Sequence, residues 1–559
     1  MYSPPSIWAA VLGVVCSSIL PETDVPPKSF LQINHFFFHK YEPSSANVPF
    51  LLLLVQPIAL LLVVVGGPLT CARLVWSYAV FLGSLGLSIA VYRLSPFHPL
   101  AQYPGPAIGK VTKLWSVWKT AHGYKYLYHK ELHDRYGPYV RTGPNELSII
   151  DATAVSQILG FGGLEKGRYY ESGRHSATPP SIVCVSGEAH TAKRRVWNRA
   201  MSSAALREYE PLIAKRASQL ISRLRGQGSD GASDVDLVHW LDLFAFDLMG
   251  DLAFGGGFEM LRDGRDVDGV GERIRRFMKA SFLSGQVPWI LGTLHLFPQV
   301  GRQIQEFNDF GENLAIQRVK NGAGRMDIWY HLADEAGLEK EKPTLETSAA
   351  DGIIAVIAAS DTTASTLSSL VWFLLSYPEY YRRVQQELDS VIVDGDDPFD
   401  ANKHQELHFL SACINETMRL HPPLPTNGTR QVPLGQPGRH IAGRFIPEGT
   451  SIYSPAYALH RNPAYFSHPD QFLPDRWLPG SSLKFEKHDT SAFIPFSLGP
   501  ANCVGQKLAR RELFVVLSGL FKAFEVRFAE GFEAALWPEG MRDSFVVERA
   551  PLQMRLTPR

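Results

Sequence analysis

Cys503 stands alone in FSLGPANCVG (residues 496–505), just ahead of a stretch in which Ala509, Leu513, Val516, Leu520 and Phe524 recur at helical spacing. A thiol in that position sits at a helix N-terminus, where partial positive charge and unpaired N–H groups lower its pKa and donate to sulfur. Gly499 and Gly505 permit close approach of a flat ligand, and Phe496 is placed to pack on that ligand's face. The competing reading is a small buried core cysteine. Three other clusters carry reactive side chains. AASDTT (358–363) puts Asp361 and Thr362 in the middle of a long apolar helix candidate, where both are poor helix formers, so something other than propensity favours them. ETMR places Glu416 and Arg419 three apart on one helix face, although Glu272/Arg275 and Glu379/Arg382 repeat the same spacing. HTAKRR sets His190 and Arg194 one turn apart.

The spacing Phe496, Gly499, Cys503, Gly505 resembles the haem-binding loop of the cytochrome P450 family. That resemblance makes Cys503 the axial thiolate of haem b and makes Phe496, Gly499 and Gly505 parts of its cradle. AASDTT is similar to the family's A-G-x-D/E-T-T element, implying that the helix opens locally there and that Thr362 and Asp361 deliver protons to dioxygen, while the thiolate favours O–O cleavage. Of the three ExxR copies only Glu416/Arg419 precedes HPP and lies upstream of FLPDRWLP (472–479), which offers Arg476 as the third member of a buried network. Two departures stand out: Ala501 replaces a basic residue that usually pairs with a haem propionate, and Ala359 replaces a glycine. The missing charge is then expected from His190 and Arg194, which resemble an aromatic-xxx-Arg element, and from Arg430 beyond the HPPLP turn.

These residues need elements to hold them. TSAADGIIAVIAASDTTASTLSSLVWFLLSYP (347–378) predicts a helix about twice the usual length, stopped by Pro378 and crossing the core. QELHFLSACINETMRLHPPLP (405–425) predicts a helix that cannot pass Pro422 and Pro423, and RFIPEGTSIYSP (444–455) predicts short strands about a turn. The expected fold is mainly α with small β-sheets, the P450 fold over residues 101–559.

The first hundred residues differ in character. Residues 50–67 and 74–92 carry no charge and approach the roughly 20 apolar residues that span a bilayer. Residues 6–20 form a shorter run with no basic residue before it, a candidate third span and a poor signal peptide. Arg93, Lys110, Lys113 and Lys119 follow with no acid among them, favouring a cytosolic catalytic body on an endoplasmic-reticulum membrane, joined through the YPGP hinge at 103–106. Lys plus Arg equals Asp plus Glu at 55 each, so no nucleic acid or strongly charged partner is indicated. The five cysteines form no CxxC pair, which argues against a disulfide framework or structural zinc.

The expected activity is monooxygenation, by hydroxylation or epoxidation, of an apolar small molecule, a terpenoid or aromatic compound of specialised metabolism. Only residues 504–559 follow the cysteine, so electrons are expected from a separate NADPH-cytochrome P450 reductase, with Lys507, Arg510 and Arg511 as a candidate docking patch. A haem-thiolate isomerase or dehydratase working without external electrons, and a non-catalytic membrane-bound lipid carrier, stand as alternatives. Pocket walls are expected from the segment before His190, Ile354 to Thr362, Leu424 to Gly428 and Met541 to Val546. Neither the glycine-rich 247–258 stretch, read as a helix end, nor the NxT sites at Asn415 and Asn427 is assigned a function.

Overall fold

The computed structural model describes residues 50–60, 62, 70–173, 179–226, 233–288, 298–322, 324–481 and 485–559. Helices dominate, and four small sheets flank them. The helices that matter for function are α1 (Cys71–Leu94), α2 (Ala107–Val111), α3 (Leu114–Ala121), α4 (Gly187–Ala200), α5 (Leu237–Phe254), α6 (Val270–Ser284), α7 (Pro298–Asn321), α8 (Leu345–Ser376), α9 (His408–Leu420) and α10 (Gln506–Ala523).

Helix α8 crosses the core as its composition predicts and packs against α5, α7, α9 and α10. It starts where the Thr344 hydroxyl caps the Thr347 N–H at 3.3 Å. It ends where Tyr377, held before Pro378, leaves helical geometry at φ −127° and ψ 80°. Leu367, Leu370, Val371 and Leu374 are fully buried in its second half, each worth about 1.5–3 kcal/mol of burial. Helix α9 stops at Leu420 ahead of the Pro422–Pro423 pair, and α5 ends on a left-handed Gly255, so the glycine-rich stretch is the helix end expected of it.

The largest sheet has five strands, β1 (Tyr139–Gly143), β2 (Glu146–Ile149), β3 (Glu165–Lys166), β4 (Arg430–Gln431) and β5 (Ser451–Tyr453), in the order β1-β2-β5-β4-β3. Its register sets Lys166 directly opposite Arg430. The predicted strands of 444–455 appear as Arg444–Ile446, paired with Arg439–Ile441 in a hairpin, and as β5.

Near the N-terminus, α1 is 24 residues long and its most apolar window is only 11% buried. Residues 51–60 are helical, the remainder of the 50–67 run is only partly covered, and the 6–20 run lies outside the described residues. Arg93 at the end of α1 donates to the Val111 carbonyl at 2.6 Å, and Arg141 of β1 donates to the Arg93 carbonyl at 2.9 Å, which fastens the apolar helix to the body.

Candidate active site

The loop before α10 is folded by its own backbone. The Cys503 N–H donates to the Phe496 carbonyl at 2.8 Å and the Asn502 N–H to the Gly499 carbonyl at 3.1 Å. Gly499 has φ +69°, and a Cβ there would lie 2.3 Å from the Leu159 carbonyl oxygen, so both conformation and contact require glycine. The Cys503 side chain opens into a cavity of about 570 Å³, which Phe496, Ala501, Val504 and Gly505 also line. The thiol is not depressed as its helix-terminus position predicts. Burial pushes its pKa above the ordinary value, outweighing the N–H groups of Gly505 and Gln506 and the charge of Arg194.

One part of the same cavity is cationic. His190, Arg194, Arg430 and Lys166 all line it. Burial holds His190 down to about 4, aided by Lys166, Arg194 and Arg430, so its imidazole is neutral. Arg194 reaches down to the cysteine loop, donating to the Asn502 carbonyl at 2.6 Å, the Asn502 Oδ1 at 2.6 Å and the Pro500 carbonyl at 3.3 Å. Arg430 is only 8% exposed, and its guanidinium has no hydrogen-bond partner among the described residues. Lys166 donates to the Ile182 carbonyl at 2.7 Å, and burial, with Arg430 close by, lowers it to about 8. Like charges directly opposite on adjacent strands repel. An anion between them resolves that, and the two carboxylates of a haem supply one; thiol, apolar walls and cationic end therefore fit that group.

Glu416, Arg419 and Arg476 come together as expected, with fully buried side chains. Glu416 Oε1 accepts from Arg419 Nη2 at 2.8 Å, Arg476 Nε at 3.1 Å and the Leu473 N–H at 2.9 Å. Its Oε2 accepts from Arg419 Nε and Trp477 Nε1, both at 2.9 Å. Burial alone would raise this carboxyl, but the bonds from Arg419 and the two guanidinium charges hold it below the ordinary value. Arg419 Nη1 also holds the His460 carbonyl at 2.9 Å, and His460 Nε2 accepts the Ile494 N–H at 2.9 Å, two residues before Phe496. Burial lowers His460 to about 3. It is therefore neutral, with Nδ1–H donating to the Arg419 carbonyl at 3.2 Å. The network reaches the cysteine loop through that ring.

Across the cavity, Ala358, Ala359 and Thr362 of α8 form part of the wall. Helix α8 runs unbroken through this segment, so the expected opening is not a break in the helix; Thr362 Oγ1 donates to the Ala358 carbonyl at 2.7 Å and Thr366 Oγ1 to the Thr362 carbonyl at 3.0 Å, back-bonds of the kind that bend a helix. Asp361 does not line the cavity. Its electrostatic neighbours are Asp242, Arg549 and Arg275, and burial, reinforced by Asp242, raises it to about 6. Arg549 meanwhile pairs with Asp242 at 2.6 Å. Glu512 of α10 is buried, and burial pushes its carboxyl up to about 8.

The cytochrome P450 profile matches residues 100–556. The chain belongs to the cytochrome P450 family. It is 32% identical over 541 residues to "Cytochrome P450 67" of Uromyces fabae, covering 94% of this chain and 97% of that protein. It is 31% identical over 483 residues to the tryprostatin B 6-hydroxylase of Aspergillus fumigatus (86% and 84% covered). It is also 31% identical over 499 residues to the trichothecene C-15 hydroxylase of Fusarium sporotrichioides (87% and 99%). This P450 is thus a haem-thiolate monooxygenase, a class that takes electrons from a redox partner and acts on small molecules.

Three of the four expected wall segments line the P450's cavity: Ser181 to Cys184, Ile354 to Thr362, and Leu424 with Asn427 and Gly428. The fourth does so only through Phe545 and Val546, since Met541 faces a separate small cavity. Sequence reasoning missed Tyr169, Phe282 of α6 and the α7 wall, which is mostly polar, with Gln305, Asn308, Asp309 and Glu312 beside Phe307. It also missed Lys166, His460 and Trp477. The basic patch is largely engaged at home: Arg510 donates to Asn415 Oδ1 at 2.8 Å, Arg511 pairs with Glu210 at 2.9 Å and Lys507 donates to Ser203 at 3.4 Å.

Proposed function

We propose that this P450 binds haem b through Cys503 and hydroxylates or epoxidises an apolar small molecule of specialised metabolism, a terpenoid or aromatic compound. The observation that carries the reading is that the Cys503 thiol and the Thr362 hydroxyl, from two separate elements, line one cavity. When bound, haem would supply the activation of dioxygen, one atom entering the substrate and the other leaving as water with two electrons from the redox partner and two protons. Cys503 holds the metal, and Phe496, Gly499 and Gly505 leave room for the ring. Lys166 and Arg430, with His190 and Arg194 beside them, receive its carboxylates. Thr362 holds a proton at Oγ1 beside the reacting atoms, and Asp361, poised near neutrality at about 6, replenishes it from the side facing Asp242 and Arg549. The rings of Tyr169, Phe282 and Phe545, with centroids 5.8–6.2 Å apart, supply apolar wall and exclude water. Relatives named for hydroxylating tryprostatin B and a trichothecene support the substrate class.

Residues 1–100 form the anchor of a cytosolic catalytic domain, residues 101–559, on the endoplasmic reticulum, with NADPH-cytochrome P450 reductase as electron donor. Helix α3 supports that placement because its polarity is reversed. Leu114 and Trp118 are 67% and 47% exposed while Ser116 and Thr120 are buried, an arrangement suited to a lipid surface beside α1. Two measurements test the proposal. Dithionite-reduced microsomes under carbon monoxide are expected to show the red-shifted Soret band of thiolate ligation. Reconstitution with the reductase and NADPH against a terpenoid and aromatic panel is expected to give products heavier by one oxygen. A reduced holoprotein without that band overturns the assignment of Cys503.

A further inference from the structure

The turn Ser181–Cys184 forms one wall of the cavity through Ser181, Ile182, Val183 and Cys184. Its backbone is gripped on both sides at Ile182. The Ile182 N–H donates to Asp351 Oδ1 at 2.8 Å, and the Ile182 carbonyl accepts from Lys166 Nζ at 2.7 Å. Asp351 belongs to the first third of α8 and is 5% exposed. Its second oxygen, Oδ2, accepts from Lys193 Nζ of α4 at 2.6 Å. A carboxylate out of water is costly unless paired and hydrogen-bonded, and here one oxygen meets the turn while the other meets a cation. Helix α4 thereby holds two parts of the site with successive residues, the turn through Lys193 and Asp351 and the cysteine loop through Arg194 and Asn502. A short turn with one buried amide in a charged acceptor has little freedom to yield to a ligand.

We propose that Asp351 is a positioning residue that fixes the Ser181–Cys184 turn as a rigid wall, so that it selects which apolar shapes the cavity accepts. The inference rests on the reading of this cavity as the substrate site. The test uses the full-length holoprotein and two iron-coordinating azoles, imidazole, which is too small to need the wall, and 4-phenylimidazole, whose ring must fit against it. Asp351→Ala is expected to weaken 4-phenylimidazole about tenfold while imidazole changes less than about twofold. It is also expected to speed amide hydrogen exchange in the 179–186 peptide. Asp351→Asn keeps an oxygen for the Ile182 N–H but turns an amide nitrogen toward Lys193 Nζ, and is expected to recover only part of both losses. Equal weakening of the two azoles, or unchanged affinity for the larger one, overturns the proposal. Should Asp351→Ala fail to load haem, single-amide exchange in the unmodified chain decides. The Ile182 amide must exchange more slowly than that of Val183, and equal rates overturn the proposal. An unmodified holoprotein that binds neither azole overturns the active-site reading beneath it.

Discussion

Replacing Glu416 by alanine removes the acceptor for five donors at once: Arg419 Nε and Nη2, Arg476 Nε, the Leu473 N–H and Trp477 Nε1. Two guanidinium groups with fully buried side chains then lose the one carboxylate that pairs with them among the described residues. Removing one partner of a buried pair costs about 3–5 kcal/mol, and whole-domain stability is on the order of 5–15 kcal/mol. The loss therefore consumes a large part of the folding margin. It also reaches the metal site by a defined route, because Arg419 anchors the His460 carbonyl and His460 anchors Ile494 just before Phe496. Glu416→Gln is expected to be nearly as harmful, since its amide nitrogen would face donors that need an acceptor. The assay is haem per chain from the absorbance of purified protein, with the thermal midpoint at a fixed scan rate. Glu416→Ala is expected to lose haem and drop the midpoint by several degrees or more. A soluble, fully pigmented Glu416→Ala protein with the parental midpoint would refute both the energetics and the route.

Four further outcomes follow from the same geometry. Thr362→Ala is expected to go on oxidising NADPH while product per NADPH falls at least about tenfold, with Thr362→Ser retaining coupling, read by oxygenated product against NADPH consumed. Asp361 is raised from 3.8 to about 6 in the fold, so the native state binds its proton more tightly than the unfolded chain and loses stability as pH rises from about 4 to 6. Asp361→Asn is accordingly expected to raise the thermal midpoint at pH 7.5, to lose that advantage below about pH 4, and to lower coupled turnover. Gly499→Ala is expected to yield no haem-loaded protein, because φ +69° and a 2.3 Å approach to the Leu159 carbonyl both exclude a methyl group; haem absorbance checks it. His460→Ala is expected to preserve α-helical circular dichroism yet shift the reduced carbon monoxide band toward the position of a lost thiolate, since it cuts the ring's bonds to Ile494 and to the Arg419 carbonyl while leaving Glu416 with its own donors.

Local features were legible in the sequence because their causes are local. Pro378 and the Pro422–Pro423 pair stop α8 and α9, and the apolar period after Cys503 becomes α10 over Gln506–Ala523. Context separated Glu416/Arg419 from its copies, and the structure agrees: Glu272 and Arg275 form an exposed pair at 3.6 Å, whereas Glu416 and Arg419 are fully buried. What escaped lies across long separations. Asn502 is 308 residues from the arginine it receives, and nothing near Arg194 names that partner. Lys166 reads as a surface lysine until strand pairing sets it against Arg430. The division between Asp361 and Thr362 was present in the helix repeat itself. Consecutive residues on an α-helix point about 100° apart, and here Thr362 lines the cavity while Asp361 does not, so a relay between them has to pass around the helix.

The pairing of Lys166 with Arg430 bears on the alanine at 501. Where the family usually places a cation two residues before the cysteine, this chain has a methyl group, and Arg194 does not stand in for it freely, because its donors are engaged by Asn502 and Pro500. The loop has exchanged a charge of its own for a guanidinium from α4, which secures its backbone and leaves the anion to be met elsewhere. On the proposed reading Lys166 and Arg430, opposite each other in register on adjacent strands, meet that need. A cation pair of this kind is unfavourable by itself and favourable once a carboxylate lies between its members. Haem binding on this reading removes a repulsion as well as adding a bond to sulfur. Stability of the chain and occupancy of its site are therefore linked through two strands far from the cysteine in sequence.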